Sequence, residues 1–300
     1  MSVIFKSTPF LAIVACWLWS TAFVGVKTGL EYHTPLQFAG IRFFLSGVLL
    51  FLWYNNPRQY KKQLLTSPGF ATIIAFIQIF FQYGLFYIGL DLVPGALGAM
   101  IVGSSPLFVA MVAHFALQNE RMNRLKAFSI LLGVIGIVII TLGRTTVELR
   151  GEYEYLGILL LMLNNISGGF ANVLILKRSK KVSPVVLSSY SLIVGGGSLF
   201  LFSLPIEGFN FGSFPTVYYF SLGWLSFLSA AAFAIWFTLI RRTGVKISEL
   251  NVWKFLIPVS GALLSWILLS NEDPDIISIA GMIVIASSLL VLNYNNRKKR

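Results

Sequence analysis

Ten stretches of about 20 residues, each nearly free of charge, follow one another down this chain, and nothing else constrains its fold so strongly. They run approximately over 9–30, 35–54, 69–90, 94–117, 125–143, 154–176, 184–205, 215–240, 247–269 and 275–294. At 1.5 Å per residue, roughly 20 helical residues span the 30 Å hydrocarbon core of a bilayer. Unbroken apolar runs specify helices, because the strands of a membrane barrel alternate over about ten residues. Only 11% of the 300 residues are charged and 56% are hydrophobic, too little polar surface to disperse a soluble domain in water. The expected fold class is all-α integral membrane, with ten transmembrane helices. Pro9 to Leu30 exceeds the length of a signal-peptide core and counts as a membrane helix. The single Cys16 lies inside that run, so no disulfide framework exists.

The short connections divide by charge. Lys6, Arg58, Lys61, Lys62, Arg121, Arg124, Lys126, Lys177, Arg178, Lys180, Lys181, Arg241, Arg242, Lys246 and residues 297–300 place 18 of the 23 basic residues on one side. The other side holds Arg144 and Arg150 with nine of the eleven acids: Glu31, Asp91, Glu148, Glu152, Glu154, Glu207, Glu272, Asp273 and Asp275. Basic residues are retained on the cytoplasmic side, so both termini are expected there. The net charge of +12 is thereby explained by topology and contacts with anionic lipid, and no nucleic-acid partner is expected.

The run that begins at Pro94 contains half of an internal duplication. Pro106 to Glu120 reads PLFVAMVAHFALQNE, and Pro258 to Glu272, 152 positions later, reads PVSGALLSWILLSNE. Five of these fifteen positions are identical, and Pro35 pairs similarly with Pro184. The chain is read as a first repeat over 1–145 (helices one to five) and a second over 152–296 (helices six to ten). Five is an odd number, so the second copy must be inverted, with its pseudo-two-fold axis in the membrane plane and a midplane site between the halves. Gly95, Ala99 and Gly103 recur at four-residue spacing, which lets helices approach closely. Asp91-Leu92-Val93-Pro94 must turn the chain within four residues.

These features resemble the drug/metabolite transporter superfamily, and within it the ten-helix EamA-like transporters. The residues that carry the resemblance are Trp19-Ser20-Thr21-Ala22-Phe23, Pro35 followed by Arg42, Tyr87 followed by Leu90 and Pro94, Ser105-Pro106, and the Asn-Glu corner fourteen residues beyond Pro106 and again beyond Pro258. The resemblance covers roughly residues 9 to 295. It implies export or exchange of small metabolites, amino acids among them. Many members carry an acidic residue just before the proline of the ninth span, where this chain has Ile257.

Polar residues inside the runs are few. Arg42 and Lys254 each lie seven residues into their spans, about 10 Å deep and near the midplane. A bare charge there costs about 3 kcal/mol or more, so each is expected to face a cavity or a partner. The rival reading is a snorkelling side chain, which suffices for Lys27 near a helix end. Gln78 and Gln82 share one helix face, as do Asn164, Gly168 and Asn172 on another, and each stripe serves either a substrate or helix-helix bonding. Trp19, Tyr83, Tyr87, Trp236 and Trp253 are aromatic residues away from the interfacial girdles. The candidate substrate-binding set is Lys254, Trp253, Gln78, Gln82, Asn164, Asn172, Trp19, Tyr83, Arg42 and Trp236. His114 is expected to be packed, since its counterpart in the second copy is Trp266, and His33 falls in a loop.

No Cys/His metal set, paired intramembrane carboxylates, nucleotide-binding loop or G-x-S-x-G occurs, so no cofactor and no catalytic residue is expected. Two function classes remain. One is a secondary transporter of an amino-acid-like or other small organic solute, working by alternating access as an exporter or exchanger. The other is a membrane-embedded lipid-modifying enzyme. The partners expected are a small-molecule substrate, membrane lipids and a coupling ion, with one copy of the chain sufficient. The expected location is multi-pass in the cell membrane, the bacterial inner membrane in particular.

The orientation is open to direct test. In a Cys16→Ala background, single cysteines replacing Asn56, Arg121 and Lys180 should resist an impermeant thiol reagent in intact cells, while those replacing Arg150 and Asp273 should react. Labelling at position 56 from outside would overturn it.

Overall fold

The computed structural model describes residues 7–118, 122–143, 153–178, 182–210 and 212–297. The charges expected at Lys6, Arg121, Arg144, Glu148, Arg150, Glu152, Lys180, Lys181 and 298–300, and the corner residue Glu120, lie outside these. Every regular element among the described residues is helical. All ten apolar runs fall on helix: α1 (Thr8–Leu30), α2 (Pro35–Tyr54), α4 (Pro68–Ile74) continuing through a π segment (Ala75–Phe81) into α5 (Gln82–Asp91), α6 (Gly95–Gly103) with α7 (Ser105–Ala116), α8 (Arg124–Gly143), α9 (Glu154–Arg178), α10 (Pro184–Glu207), α11 (Thr216–Ile240), α12 (Ile247–Val252) with α13 (Leu256–Leu268), and α14 (Ile276–Arg297). Seven are long and apolar enough to cross a membrane: α1, α2, Pro68–Asp91, Gly95–Ala116, α9, α10 and α11. Leu256–Leu268 and Ile276–Leu292 are shorter apolar helices.

Local chemistry sets the boundaries. Ser7 and Ser183 each accept a hydrogen bond from the backbone three residues on (Phe10 N at 3.3 Å, Val186 N at 3.2 Å), with Pro9 and Pro184 opening the helices behind them. The expected turn at Asp91 to Pro94 is present, with α5 ending at Asp91 and α6 starting at Gly95. Residues 55–68, read only as a basic connection, contain a further amphipathic helix, α3 (Pro57–Leu64), which buries Tyr60 and exposes Arg58, Lys61 and Lys62. Asn55 ends α2 in the left-handed region at φ 48°, a conformation asparagine tolerates, and Asn56 then caps α3 by accepting from Gln59 N at 3.0 Å.

The helices pair in a regular scheme. α2 lies along α10, α8 along α14, and α6 along α13. α1 packs on α11 and α13, while α9 packs on α5 and on α7. Gly95–Ala116 is the centre of the bundle, with 89% of its apolar window buried against 50–61% for the other six spans. Its small-residue stripe meets α13 directly: a Cβ on Gly103 would stand 2.6 Å from Pro258 N, and Ala99 sits where a Cβ on Gly261 would fall, 2.7 Å away.

Two acids expected merely to mark a surface act across the bundle as helix caps. Glu207, at the end of α10, accepts from Leu36 N and Gln37 N at the start of α2, both at 2.9 Å. Glu272, beyond α13, accepts from Gly95 N and, at 2.8 Å, from Ala96 N at the start of α6. A carboxylate there satisfies orphan amides and complements the positive helix end.

The α2–α10 seam depends on missing side chains. A Cβ on Gly40 would lie 2.6 Å from Phe200 N, and one on Gly196 2.5 Å from Phe44 N, both backbone atoms that cannot swing aside. Gly40→Ala and Gly196→Ala should each destabilise the purified protein by about 1–3 kcal/mol. Gly197→Ala, whose nearest neighbour is a Phe44 ring atom at 3.8 Å, should leave the melting temperature unchanged or raise it. Equal melting shifts at all three positions would refute the seam.

Candidate functional site

A cavity of about 70 Å³ lies in the middle of the bundle. Lys254 enters it from the tight 3-10 turn (Trp253–Phe255) between α12 and α13. No carboxylate partners its ammonium among the described residues. Nζ sits instead 4.9 Å from the ring centroid of Trp236 and 5.4 Å from that of Trp19. The two indoles meet edge to face, their centroids 5.1 Å apart. Each such cation–π contact is worth roughly 0.5–2 kcal/mol, which offsets only part of the cost of a desolvated ammonium.

Arg42 reaches the same cavity from α2 in a different way. Its Nε and Nη2 donate to Ser229 Oγ at 3.1 and 2.8 Å, and Nη1 donates to Tyr87 Oη at 2.5 Å. Its guanidinium carbon lies 4.8 Å from the Phe43 ring centroid. The fork is thus held by neutral hydroxyls and an aromatic face, and the positive charge is left uncancelled.

Breaks in the helices shape the remaining wall. The π segment contains Gln78, and Gln82 follows it at once. Ser167 on α9 donates to Ile77 O at 3.2 Å, a side chain inserted into the widened ladder. Between α6 and α7 the chain bends at Ser104, where Pro106 lacks an amide hydrogen. Ile101 O accepts there from Ser104 Oγ at 2.6 Å and from Asn165 Nδ2 at 2.7 Å. Asn164, with its amide turned so that the nitrogen donates, reaches Gln82 O at 3.2 Å. Asn172 Nδ2 bonds Asn251 Oδ1 at 3.4 Å. Several buried polar atoms of the wall form no hydrogen bond with the protein: Trp19 Nε1, Trp236 Nε1, Gln78 Oε1, Gln82 Oε1 and Ser105 Oγ.

Side chains are packed in clusters towards both ends of the cavity. Towards the basic connections, Val109, Val112, Ala113, Val173 and Ile247 form an apolar cluster. Towards the acidic ones, Tyr87 meets Phe38 edge to face, and Phe38, Tyr218, Phe214 and His33 continue the aromatic cluster. Beyond that cluster a vestibule of about 510 Å³ opens, lined by residues that include Lys27, Glu31, Asp91 and Glu272.

Of the ten residues selected from sequence, nine line the cavity: Lys254, Gln78, Gln82, Asn164, Asn172, Trp19, Tyr83, Arg42 and Trp236. Trp253 does not, and the indoles beside Lys254 are Trp19 and Trp236, because the tight turn aims neighbouring side chains apart. Ser105, Asn165 and the rings Phe23, Phe86 and Phe233 also line it. Asn165 adjoins Asn164 and Ser105 adjoins the bend proline, which were the available signals; the phenylalanines carried none. Ile257 lies on the wall as well. His114 stands apart, half-buried, accepting from Met122 N at 2.8 Å. Lys27 does more than snorkel: it donates to Leu90 O and Val93 O at 3.2 and 3.1 Å, closing the end of α5.

If Tyr87 serves to hold the guanidinium, Tyr87→Phe should lower the stability of substrate-free protein by about 1.5–3 kcal/mol, the value of a hydrogen bond to a charged group. An unchanged melting temperature would leave Arg42 without its structural role.

Comparison with known proteins adds four findings. The model of the EamA-like transporter family matches twice, over residues 6–142 and 155–294. The uncharacterized transporter YvbV of Bacillus subtilis is 26% identical over 98% of this chain and 93% of its own length. A protein of Salmonella typhimurium named "Probable amino-acid metabolite efflux pump" is also 26% identical, over 98% of this chain and 97% of its own. A solved crystal structure superposes with TM-score 0.74 over 98% of this chain and 99% of its own, at 16% identity.

Proposed function

The chain belongs to the EamA-like transporter family, and from that premise we propose that it is a secondary transporter of a small metabolite, amino-acid-like or another small organic solute, acting as an exporter or exchanger by alternating access around the central cavity. The observation that carries this reading is Lys254, an ammonium held between two indole faces in a mid-bundle cavity, with no carboxylate beside it among the described residues. A carboxylate on a passing solute would neutralise it, and the aromatic wall would hold the solute's apolar part. The name of the Salmonella relative, an amino-acid metabolite efflux pump, points the same way.

The architecture we propose is ten membrane helices with both termini cytoplasmic, built as an inverted repeat of 1–145 and 152–296. The pairing of helices supports it. Exchanging the halves maps α1 onto α9, α2 onto α10, the α4–α5 segment onto α11, α6–α7 onto α12–α13, and α8 onto α14. Under that exchange the pairs α2–α10 and α8–α14 return to themselves, and α6–α13 becomes α12–α7, a contact that also occurs. The pair α1–α11 becomes α9–α5, and α1–α13 becomes α9–α7, contacts that also occur.

At about 70 Å³ the cavity has room for a few waters but is smaller than the roughly 300–1,000 Å³ of ordinary ligand sites. The halves must therefore part to admit a solute, on one side and then the other. An empty carrier crosses with Lys254 uncompensated, at a cost of about 3 kcal/mol or more, while a carboxylate-bearing passenger removes that cost. Exchange should accordingly outrun net flux.

Lys254→Met keeps the stem and removes the charge. In proteoliposomes it should slow transport of carboxylate-bearing solutes at least about tenfold, equivalent to about 1.4 kcal/mol. A folded variant that transports them at the wild-type rate would remove Lys254 from the site.

A further inference from the structure

We infer that the central cavity selects by net charge, taking organic anions in preference to zwitterions and rejecting amines; this rests on the reading of that cavity as the substrate site. Two charged side chains line it, Lys254 and Arg42, and both are cations. None of the described lining residues is acidic. Glu207 and Glu272 are engaged at the bundle's acidic end as caps on α2 and α6. Arg42 is hydrogen-bonded, but only to hydroxyls, so its charge still acts on the cavity. In a medium of low dielectric constant two such charges are poorly screened.

The uncharged groups act in the same direction. A carboxylate entering the cavity finds the Lys254 ammonium, and two of the lining residues, Trp19 and Trp236, carry indole N–H groups that bond nothing within the protein. A solute ammonium would be held best by aromatic faces, but those of Trp19 and Trp236 already carry Lys254. What remains for it is the neutral Gln78 Oε1 and Gln82 Oε1, acceptors that cannot cancel a positive charge beside two others. The amino group of an amino acid is therefore tolerated at a cost, and a solute that carries the amine alone has no favourable seat. Phe23, Phe86 and Phe233 leave the apolar part of any of these solutes the same surface, so charge decides between them.

The test uses purified full-length protein and charge-matched triplets that share one side chain. One triplet is 3-phenylpropionate, phenylalanine and 2-phenylethylamine; another is 4-methylpentanoate, leucine and isoamylamine. Binding is read at pH 7 by thermal shift and by tryptophan fluorescence, to which Trp19 and Trp236 contribute two of the seven tryptophans. In responding triplets the acid should half-saturate at a concentration at least about tenfold below the amino acid, and the amine should not compete. Lys254→Met, or Lys254→Gln should the first fail to fold, should narrow the acid preference to less than about threefold. Triplets that respond with the amino acid or the amine binding as tightly as the acid would overturn the charge selection while leaving the substrate site standing. Silence of every triplet would overturn the substrate-site reading, and the selection with it.

Discussion

A backbone surrounded by hydrocarbon must satisfy its own polar groups, and the rest of this structure follows from where it fails to do so by helix alone. Three of its spans are interrupted: at the π segment, at the Ser104 bend and at the 3-10 turn holding Lys254. All three border one cavity. At the first two, a side chain from α9 supplies the missing bond, Ser167 to Ile77 O and Asn165 to Ile101 O. Irregular backbone is tolerated at membrane depth only where protein or a cavity surrounds it, so the breaks and the site are one feature. α9 accordingly does two things: it lines the cavity with Asn164 and Asn172 and repairs the ladders that make the cavity possible.

The two buried cations show why their chemistry matters more than their charge. Arg42 presents a rigid fork, and two hydroxyls with a stacked ring satisfy it without an anion. Lys254 is a compact ammonium with three donors, and indole faces attract it without accepting a hydrogen bond. Arg42 is therefore built into the α2–α11 contact as structure as well as field. Lys254 keeps its bonding capacity for something else.

Much of this was legible in the residues. The ten apolar runs gave the helices because membrane length and hydropathy are coarse signals that survive local irregularity. The Gly95–Ala99–Gly103 stripe announced the contact with α13, because only small residues permit it. Lys254, Arg42, Gln78 and Gln82 stood out because a polar group at that depth has to be explained. What could not be read was rotation. A regular helix predicts which residues share a face, but the 3-10 turn re-aims Trp253 away from its neighbour Lys254, and no periodicity crosses such a turn. Phe86 and Phe233 were equally silent, since a phenylalanine against lipid and one against a cavity look alike in sequence. The caps formed by Glu207 and Glu272 join residues more than 160 positions apart, beyond any local rule.

The packing at the two ends of the cavity differs in kind, and under the proposed alternating access so would the events that part it. The cluster nearer the basic connections is dispersion and burial alone, among valines, alanine and isoleucine. Parting it exposes apolar surface and, where α9 leaves α12, breaks the long Asn172–Asn251 hydrogen bond. At the other end the aromatic cluster lies beneath two carboxylates that each bind a pair of helix-opening amides. Any motion there that separates α2 from the end of α10, or α6 from the end of α13, breaks charge-assisted hydrogen bonds worth about 1.5–3 kcal/mol apiece. The vestibule of about 510 Å³ on that side, with Glu272 on its wall, brings water to the broken bonds and lowers their cost. Under the proposed alternating access, an aqueous approach at the polar end and none needed at the apolar one would let both ends open at comparable expense.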